Sequence, residues 1–201
     1  MSMSDINIAD QPATFEFSPE NLEEAKKHIA KYPEGRQASA VMPLLDIAQR
    51  QFGGWLPQAA VRHVADMLDM PVIRVLEVAS FYTMYNLNPV GKNFVQVCTT
   101  TPCWLRGSDE VVSGCKKALG LKPGESSEDG EFTVIEVECL GACANAPMMQ
   151  IGDDYYEDLD EASTIKVLEA LKAGETPESG PQSDRKGSEP AGGLTSLQEN
   201  T

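Results

Sequence analysis

Apolar residues recur at helical spacing in four stretches of the N-terminal half of the chain. Ser18 followed by Pro19 has the form of a helix N-cap with proline in the first turn. The third stretch follows Pro57, and the fourth begins at Pro71. The apolar positions are Leu22, Ala25 and Ile29; Val41, Leu44, Leu45, Ala48 and Phe52; Ala60, Val61, Val64, Ala65 and Leu68; and Val72, Val75, Leu76, Ala79 and Tyr82. Four short amphipathic helices with short turns predict a small helical bundle.

The pattern changes after the fourth stretch, where strand and helix signals alternate. Short runs of β-branched and aromatic residues predict strands, and turn residues separate them. The predicted elements are strands at 94–97 and 132–138, a hairpin of 148–151 with 155–156, and helices at 108–119 and 160–171, the first capped by Ser108 or Asp109. This order is close to β-α-β-β-β-α and fits a small α/β sandwich.

These patterns divide the chain into four parts and give an α+β fold class. We expect a flexible N-terminus at 1–17, a helical bundle domain at 18–91 and a mixed strand and helix domain at 92–173. The remaining residues, 174–201, hold five Gly, three Pro and four Ser, with two Leu as the large apolar residues. Such a segment buries too little surface to offset ordering entropy, so it is expected to be a disordered tail.

Charge narrows the classes of partner. The chain carries a formal net charge of −15, which repels nucleic acid and anionic lipid. No stretch approaches the roughly 20 apolar residues that a membrane span needs. The first residues are polar and acidic and have no apolar core, unlike a secretory signal. We therefore expect a protein of a soluble, non-secreted compartment, with protein partners.

Four of the five cysteines form two spaced pairs. Cys98 and Cys103 follow a C-x4-C pattern, and after 35 intervening residues Cys139 and Cys143 follow a C-x3-C pattern. Both pairs come directly after predicted strands. If those strands are neighbours in one sheet, four thiolates meet at one edge, and a [2Fe–2S] cluster needs four soft ligands, two for each iron.

Other interpretations of the cysteines remain open at this point. Structural zinc is the first, although zinc ribbons favour C-x2-C spacing, which neither pair has. A disulfide is disfavoured in a reducing compartment, and a thioredoxin-like redox enzyme would need C-x2-C. Cys115 lies on the inward face of a predicted helix and is interpreted as a small buried hydrophobe. Gly141 gives the second loop room to place backbone N–H groups near sulfur.

Several uncommon segments resemble the E-subunit family of NADH:quinone oxidoreductase, respiratory complex I. The resemblance runs in order from about Leu22 to Leu171 and includes all four paired cysteines. The segments are Ser39-Ala40-Val41-Met42-Pro43-Leu44-Leu45, Phe52-Gly53-Gly54-Trp55-Leu56-Pro57, Phe81-Tyr82-Thr83-Met84-Tyr85, Val97-Cys98-Thr99-Thr100-Thr101-Pro102-Cys103 and Cys139-Leu140-Gly141-Ala142-Cys143-Ala144-Asn145-Ala146-Pro147.

The resemblance implies a helical domain followed by a thioredoxin-like ferredoxin domain with one [2Fe–2S] cluster on Cys98, Cys103, Cys139 and Cys143. It implies an electron carrier that exchanges single electrons with the FMN of a partner flavoprotein subunit, which also binds NADH. This chain would have no NADH or FMN site of its own, and the sequence has no G-x-G-x-x-G segment. Other peripheral-arm subunits are further partners, on the cytoplasmic side of the bacterial inner membrane or the matrix side in mitochondria.

Three alternatives stay open from the sequence. The first is the equivalent subunit of an NAD-linked formate dehydrogenase or hydrogenase, which shares the same NADH-oxidising module. The second is a stand-alone thioredoxin-like ferredoxin, although a free carrier does not need the helical domain. The third is a structural zinc-binding interaction module. Iron and sulfide content separates zinc from iron, and co-purifying subunits separate the others.

Three further groups of residues have expected roles. The aromatic residues Trp55, Phe81, Tyr82 and Tyr85 are interpreted as core residues in preference to interface residues. Glu138, with Glu136, adds negative charge next to the second cysteine pair and is expected to lower the reduction potential. Finally, Trp104 and Arg106 directly follow the first pair and are candidates to face the flavoprotein.

Overall fold

Four helices make up the first unit of the computed structural model, which describes residues 11–185, 192–193 and 195–196. They are α1 (Pro19–Ala30), α2 (Val41–Gln51, preceded by the 3-10 helix Gln37–Ala40), α3 (Gln58–Met67) and α4 (Val72–Phe81). The Ser18 side chain accepts a hydrogen bond from the Asn21 N–H, which confirms the predicted cap. No helix within the described ranges is long and apolar enough to cross a membrane.

The core of this unit is built from the apolar stripes of the four helices. Leu44, Leu45 and Val64 are fully enclosed, as their helical spacing predicts. Trp55 and Tyr85 are buried, which confirms their assignment to the core.

For Phe81 and Tyr82 the core assignment is wrong, because their exposed fractions are 76% and 40%. The inward face of α4 carries Val75 and Ala79. Phe81 is the last residue of the helix, and Tyr82 follows in an extended conformation. The two rings contact each other edge to face with 5.0 Å between their centroids.

The described part of the N-terminal segment corrects the expectation of a flexible region at 1–17. Phe15 and Phe17 are both buried in the core of the helical unit. Each ring packs edge to face against the His63 imidazole, at 5.6 and 5.2 Å between centroids. The Gln51 amide donates to the Glu16 carbonyl. These two aromatic side chains supply buried area that an interpretation based on local sequence alone overlooks. Residues 1–10 lie outside the described residues.

The chain divides between Val90 and Gly91, and the second unit contains one mixed sheet. The strands lie in the order β2-β3-β1-β4-β5-β6, with β1 parallel to β3 and β5 parallel to β6. The remaining neighbours are antiparallel. The elements are β1 (Asn93–Cys98), α5 (Thr101–Leu105), α6 (Ser108–Leu119), β2 (Glu125–Ser126), β3 (Phe132–Val137), β4 (Met149–Ile151), β5 (Asp154–Glu157), α7 (Glu161–Lys172) and β6 (Gly180–Pro181).

Helices α6 and α7 pack on one face of this sheet and close its core. Val111 and Cys115 of α6 and Leu168 of α7 are buried together with the strand residues. The interpretation of Cys115 as a buried hydrophobe is therefore confirmed. The cap of α6 was predicted wrongly, because Gly107 occupies the N-cap position and Ser108 is the first helical residue. The unpredicted short helix α5 ends just before this point, and Gly107 turns the chain between the two helices.

The expectation of a disordered tail at 174–201 is also corrected for its first part. Gly180–Pro181 forms β6 beside β5, and the Gln182 N–H donates to the Glu157 carbonyl at 2.8 Å. Composition did not predict that this segment is ordered, because backbone hydrogen bonds and one arginine hold it in place. Few apolar side chains contribute. Most of the remainder of the predicted tail lies outside the described residues.

Candidate metal centre

Two parallel strands bring the cysteine-bearing loops to one edge of the sheet. Cys98 is the last residue of β1 and pairs with Val137, the last residue of β3. Cys139 follows β3 directly after Glu138. Because parallel neighbours end at the same edge, the strand pairing that a shared site for the four cysteines requires is present.

The first cysteine pair is buried. Cys98 and Cys103 are both enclosed, and Cys103 lies on the short helix α5. They pack with Ala146 and Met148 in a small apolar cluster. The Cys98 Sγ lies 3.2 Å from the Thr100 Oγ1. This pair is therefore shielded from water by its own loop and by the residues that precede β4.

The second cysteine pair is exposed. The Cys139 and Cys143 Sγ atoms are 3.3 Å apart, and Cys143 begins the 3-10 helix Cys143–Asn145. The Gly141 N–H points back to the Cys139 Sγ at 3.4 Å. Gly141 has φ of 87°, a left-handed conformation that glycine adopts without strain. The expected backbone donation to sulfur in this loop is confirmed at Gly141.

Backbone and apolar contacts hold the two cysteine loops beside each other. The Cys98 N–H donates to the Met148 carbonyl at 3.2 Å, and the Thr99 N–H donates to the Val137 carbonyl at 3.4 Å. Leu140 and Ala142 of the second loop pack against the apolar cluster that contains Cys98 and Cys103.

The surroundings of these thiols shift their pKa values in different directions. Burial, together with the neighbouring Cys98 thiol, raises the pKa of Cys103 to about 12. Burial, the largest single influence, opposes ionisation of Cys98, but Thr100 and the neighbouring Cys103 and Leu140 groups together outweigh it and lower the pKa of Cys98. The hydrogen bond with Cys139 raises the pKa of Cys143. One thiol of the buried pair is therefore prepared to become a thiolate, the form that binds metal.

The four paired thiols come from two loops. Within the described residues, no group of three or more His, Cys, Asp or Glu side chains is arranged to hold a metal ion. The thiols form two pairs, Cys98 with Cys103 and Cys139 with Cys143. A tetrahedral ion with metal–sulfur bonds of about 2.3 Å holds two thiolates about 3.8 Å apart, close to the 3.3 Å between Cys139 and Cys143. Two pairs of thiolates are what the two irons of a [2Fe–2S] cluster require.

Several residues around the site were not predicted from the sequence. The Tyr155 hydroxyl donates to the Leu140 carbonyl at 2.9 Å and holds the second loop against β5. Thr99 donates to Glu136 at 3.1 Å, so one of the two predicted acidic neighbours is bound next to the first loop. The sequence does place Tyr155 in a predicted hairpin. Its contact with the cysteine loop could not be predicted, because that requires knowing which strands pair.

A family comparison decides the class of the protein. Residues 25–172 match the family model described as thioredoxin-like [2Fe–2S] ferredoxin. The chain belongs to this family. Its fold is the thioredoxin-like ferredoxin fold preceded by a helical unit, and the family cofactor is a [2Fe–2S] cluster, as the resemblance in the sequence implied.

Curated relatives narrow the family further. The NADH-quinone oxidoreductase E-subunit of Rickettsia prowazekii is 58% identical over 156 residues, which cover 78% of this chain and 88% of that protein. NADH dehydrogenase [ubiquinone] flavoprotein 2 of Dictyostelium discoideum, a mitochondrial protein, is 52% identical over 185 residues, 92% of this chain and 75% of the relative. The chain is therefore a member of the E-subunit family of an oxidoreductase complex.

A solved structure supports the fold alone. A crystal structure of an NAD+-reducing [NiFe]-hydrogenase in the air-oxidised state matches with a TM-score of 0.56 and 21% identity. The match covers 65% of this chain and 23% of the hydrogenase chain. This ferredoxin-family unit therefore has the same fold as part of a larger chain of that enzyme.

Proposed function

We propose that this ferredoxin-family chain is the electron-transfer subunit of the NADH dehydrogenase module of respiratory complex I, with its [2Fe–2S] cluster on Cys98, Cys103, Cys139 and Cys143. The observation that supports these ligands is the position of the two cysteine loops at the ends of the parallel strands β1 and β3, with Leu140 of the second loop packed against Cys98 and Cys103 of the first. Relatives at 52–58% identity with names of that complex support the assignment.

The protein part of this function is positioning and electrostatics. When bound, the cluster supplies one-electron oxidation and reduction. The buried pair, Cys98 and Cys103, provides a water-poor anchor. The Gly141 N–H donates to the Cys139 Sγ and favours added negative charge there, which raises the reduction potential. The exposed pair, Cys139 and Cys143, leaves the site open on the side of its loop.

The proposed partner is the flavoprotein subunit that holds FMN and NADH. NADH gives up two electrons together, and a [2Fe–2S] cluster held by the four cysteines would supply one-electron chemistry beside the flavin. Trp104 and Leu105 follow the first cysteine pair and have exposed fractions of 59% and 71%. Apolar side chains with that exposure suit a protein interface, so Trp104 keeps its proposed place toward the flavoprotein.

The proposed location is the peripheral arm of the complex, on the cytoplasmic side of a bacterial inner membrane or the matrix side in mitochondria. The module of an NAD-linked hydrogenase or formate dehydrogenase is the second candidate. The hydrogenase structure favours it through fold similarity at 21% identity, which is weaker support than the named relatives provide. Subunits that co-purify with the full chain separate these complexes.

The decisive experiment combines metal analysis with cysteine variants of the full chain. We expect two irons and two sulfides in each chain and a paramagnetic resonance signal after one-electron reduction. Cys98→Ser and Cys139→Ser are expected to lose or alter that signal. Cys115→Ser is the matched control, because Cys115 is buried in the α6 face of the sheet core, and it should retain the signal. Zinc in place of iron, or an unchanged signal in both ligand variants, would refute the proposal.

A further inference from the structure

The segment after α7 returns to the cysteine-bearing edge of the second unit. Gly180 and Pro181 pair with Tyr156 and Glu157 as strand β6. The backbone then continues past the end of β5, where the Ser183 hydroxyl donates to the Asp158 carboxylate at 3.1 Å. We call residues 180–185 the C-terminal strap.

Arg185 ends the strap and contacts the second cysteine loop. Its guanidinium donates to the Ala144 carbonyl at 2.9 Å and to the Asn145 Oδ1 at 2.8 Å. The same group forms an ion pair with the Asp158 carboxylate at 3.2 Å. The Asp158 side chain is only 6% exposed, so it is largely removed from water, and its charge is balanced by Arg185 while Ser183 donates to its other oxygen. Arg185 therefore joins three backbone segments through one planar, multiply donating group.

The contacted atoms adjoin a proposed cluster ligand. Ala144 directly follows Cys143 and lies with it in the short 3-10 helix. Asn145 is buried, and its amide donates to the Glu157 carboxylate at 2.7 Å. Both Cys139 and Cys143 are exposed, although Leu140 and Ala142 of their loop pack against the apolar cluster of Cys98 and Cys103. Hydrogen bonds at the two ends of the loop, from Tyr155 and from Arg185, add to that packing.

We propose that Arg185 is a positioning residue for the cluster, which it anchors by fixing the loop of Cys139 and Cys143 through the C-terminal strap. The inference rests on the proposed ligand set. It assigns a role to a segment whose composition is that of a disordered tail. Arg185 also supplies a positive charge that balances Asp158 beside the loop, and this charge favours the reduced, more negative state of the site.

The test measures how firmly the full chain holds its cluster. Wild type, Arg185→Ala, Arg185→Gln and Arg185→Lys are exposed to an iron chelator, and the loss of visible absorbance is timed. Because the guanidinium makes charged hydrogen bonds, we expect Arg185→Ala to lose iron about tenfold faster than wild type. Arg185→Lys should recover part of the difference. Arg74→Ala is the control, because Arg74 forms an exposed ion pair with Glu77 in the helical unit.

A redox titration of the same proteins adds a second readout. Removing the charge in Arg185→Ala or Arg185→Gln leaves Asp158 unbalanced, so the midpoint potential should fall, and it should stay near the wild-type value in Arg185→Lys. Should Arg185→Ala fail to fold by circular dichroism, the same comparisons are made with Arg185→Gln. Loss rates equal to wild type, or an unshifted potential, overturn the role of Arg185. A wild-type chain without iron and sulfide instead overturns the proposed function itself.

Discussion

Gly91 lies where the chain enters the sheet of the second unit, and an added methyl group there has no space. A Cβ on this residue would lie 2.4 Å from the carbonyl carbon of Phe132 and 2.7 Å from the backbone nitrogens of Phe132 and Thr133. Ordinary carbon contacts are about 3.5–4.0 Å. The Gly91 N–H also donates to the Thr133 Oγ1 at 2.7 Å, so the close approach is held by a buried hydrogen bond.

Gly130 provides a matched control in the same part of the sheet. Its carbonyl accepts from Lys92, the residue after Gly91, but a Cβ on Gly130 would meet nothing within 4 Å. The cost there is conformational, because φ is 73°, and amounts to about 1–2 kcal/mol. In each variant alanine also reduces the conformational entropy of the unfolded chain, which offsets about 0.4–1 kcal/mol of the destabilisation. Gly130→Ala should therefore lower the free energy of unfolding by roughly 1 kcal/mol.

Gly91→Ala should cost more, because the colliding atoms belong to the backbone of β3. That strand lies between β2 and β1 and cannot shift without disturbing both ladders. Overpacking costs typically about 1–3 kcal/mol, and we expect a net loss of about 2–3 kcal/mol, near the upper end of that range. For a unit of about 100 residues this corresponds to a melting temperature lower by roughly 10 °C or more.

The assay is hydrogen exchange of β1 and β3 peptides in increasing urea, which reports on the second unit within the full chain. Peptides from α2 and α3 serve as the internal reference and should keep wild-type protection. If β1 and β3 peptides exchange as slowly in Gly91→Ala as in Gly130→Ala, the collision does not constrain folding and the reasoning is refuted.

Three other predictions concern separate parts of the molecule. Burial raises the pKa of Cys115 to about 12, so this thiol should resist alkylation at pH 8 in the folded chain but react in urea, as peptide mapping would show. In the unfolded chain this thiol ionises near its ordinary pKa of 9.0, so folding favours the protonated form. The stabilisation that Cys115 provides is therefore fully present below pH 9 and is lost as the pH rises toward 12. Ser18→Ala removes the cap of α1 and should cost about 1 kcal/mol in urea unfolding of the helical unit, whereas Ser18→Gly should cost a few tenths; equal costs would contradict the capping role. Glu138→Gln should raise the midpoint potential in a redox titration, and an unchanged or lower value would contradict the electrostatic role of that carboxylate.

Periodic patterns predicted most of the elements, because each reports on one face that must be buried. The spacing of Leu44, Leu45 and Ala48 marks the inward face of α2, and the run before Cys98 marks β1. The positions whose structure was predicted wrongly contact partners that are distant in sequence. Phe15 needs the His63 ring, and Pro181 needs the edge of β5, and neither partner is visible in the local pattern.

The same distinction explains which part of the site was predictable. Spacing and position after strands predicted that the two cysteine loops lie at one edge if their strands are neighbours, and the parallel pairing of β1 with β3 meets that condition. The groups that hold the exposed loop were not predictable, because Tyr155 and Arg185 come from a hairpin and from a segment whose composition is that of a tail.

The two cysteine pairs differ in how they are held, and this difference bears on the proposed function. Cys98 and Cys103 belong to a strand and a helix and are enclosed by apolar residues. Cys139 and Cys143 lie on a loop fixed at its ends by polar contacts. An electron carrier needs one side open to its partner and a rigid frame around the metal. Polar anchors at the loop ends satisfy both requirements, because they restrain the exposed ligands without covering them.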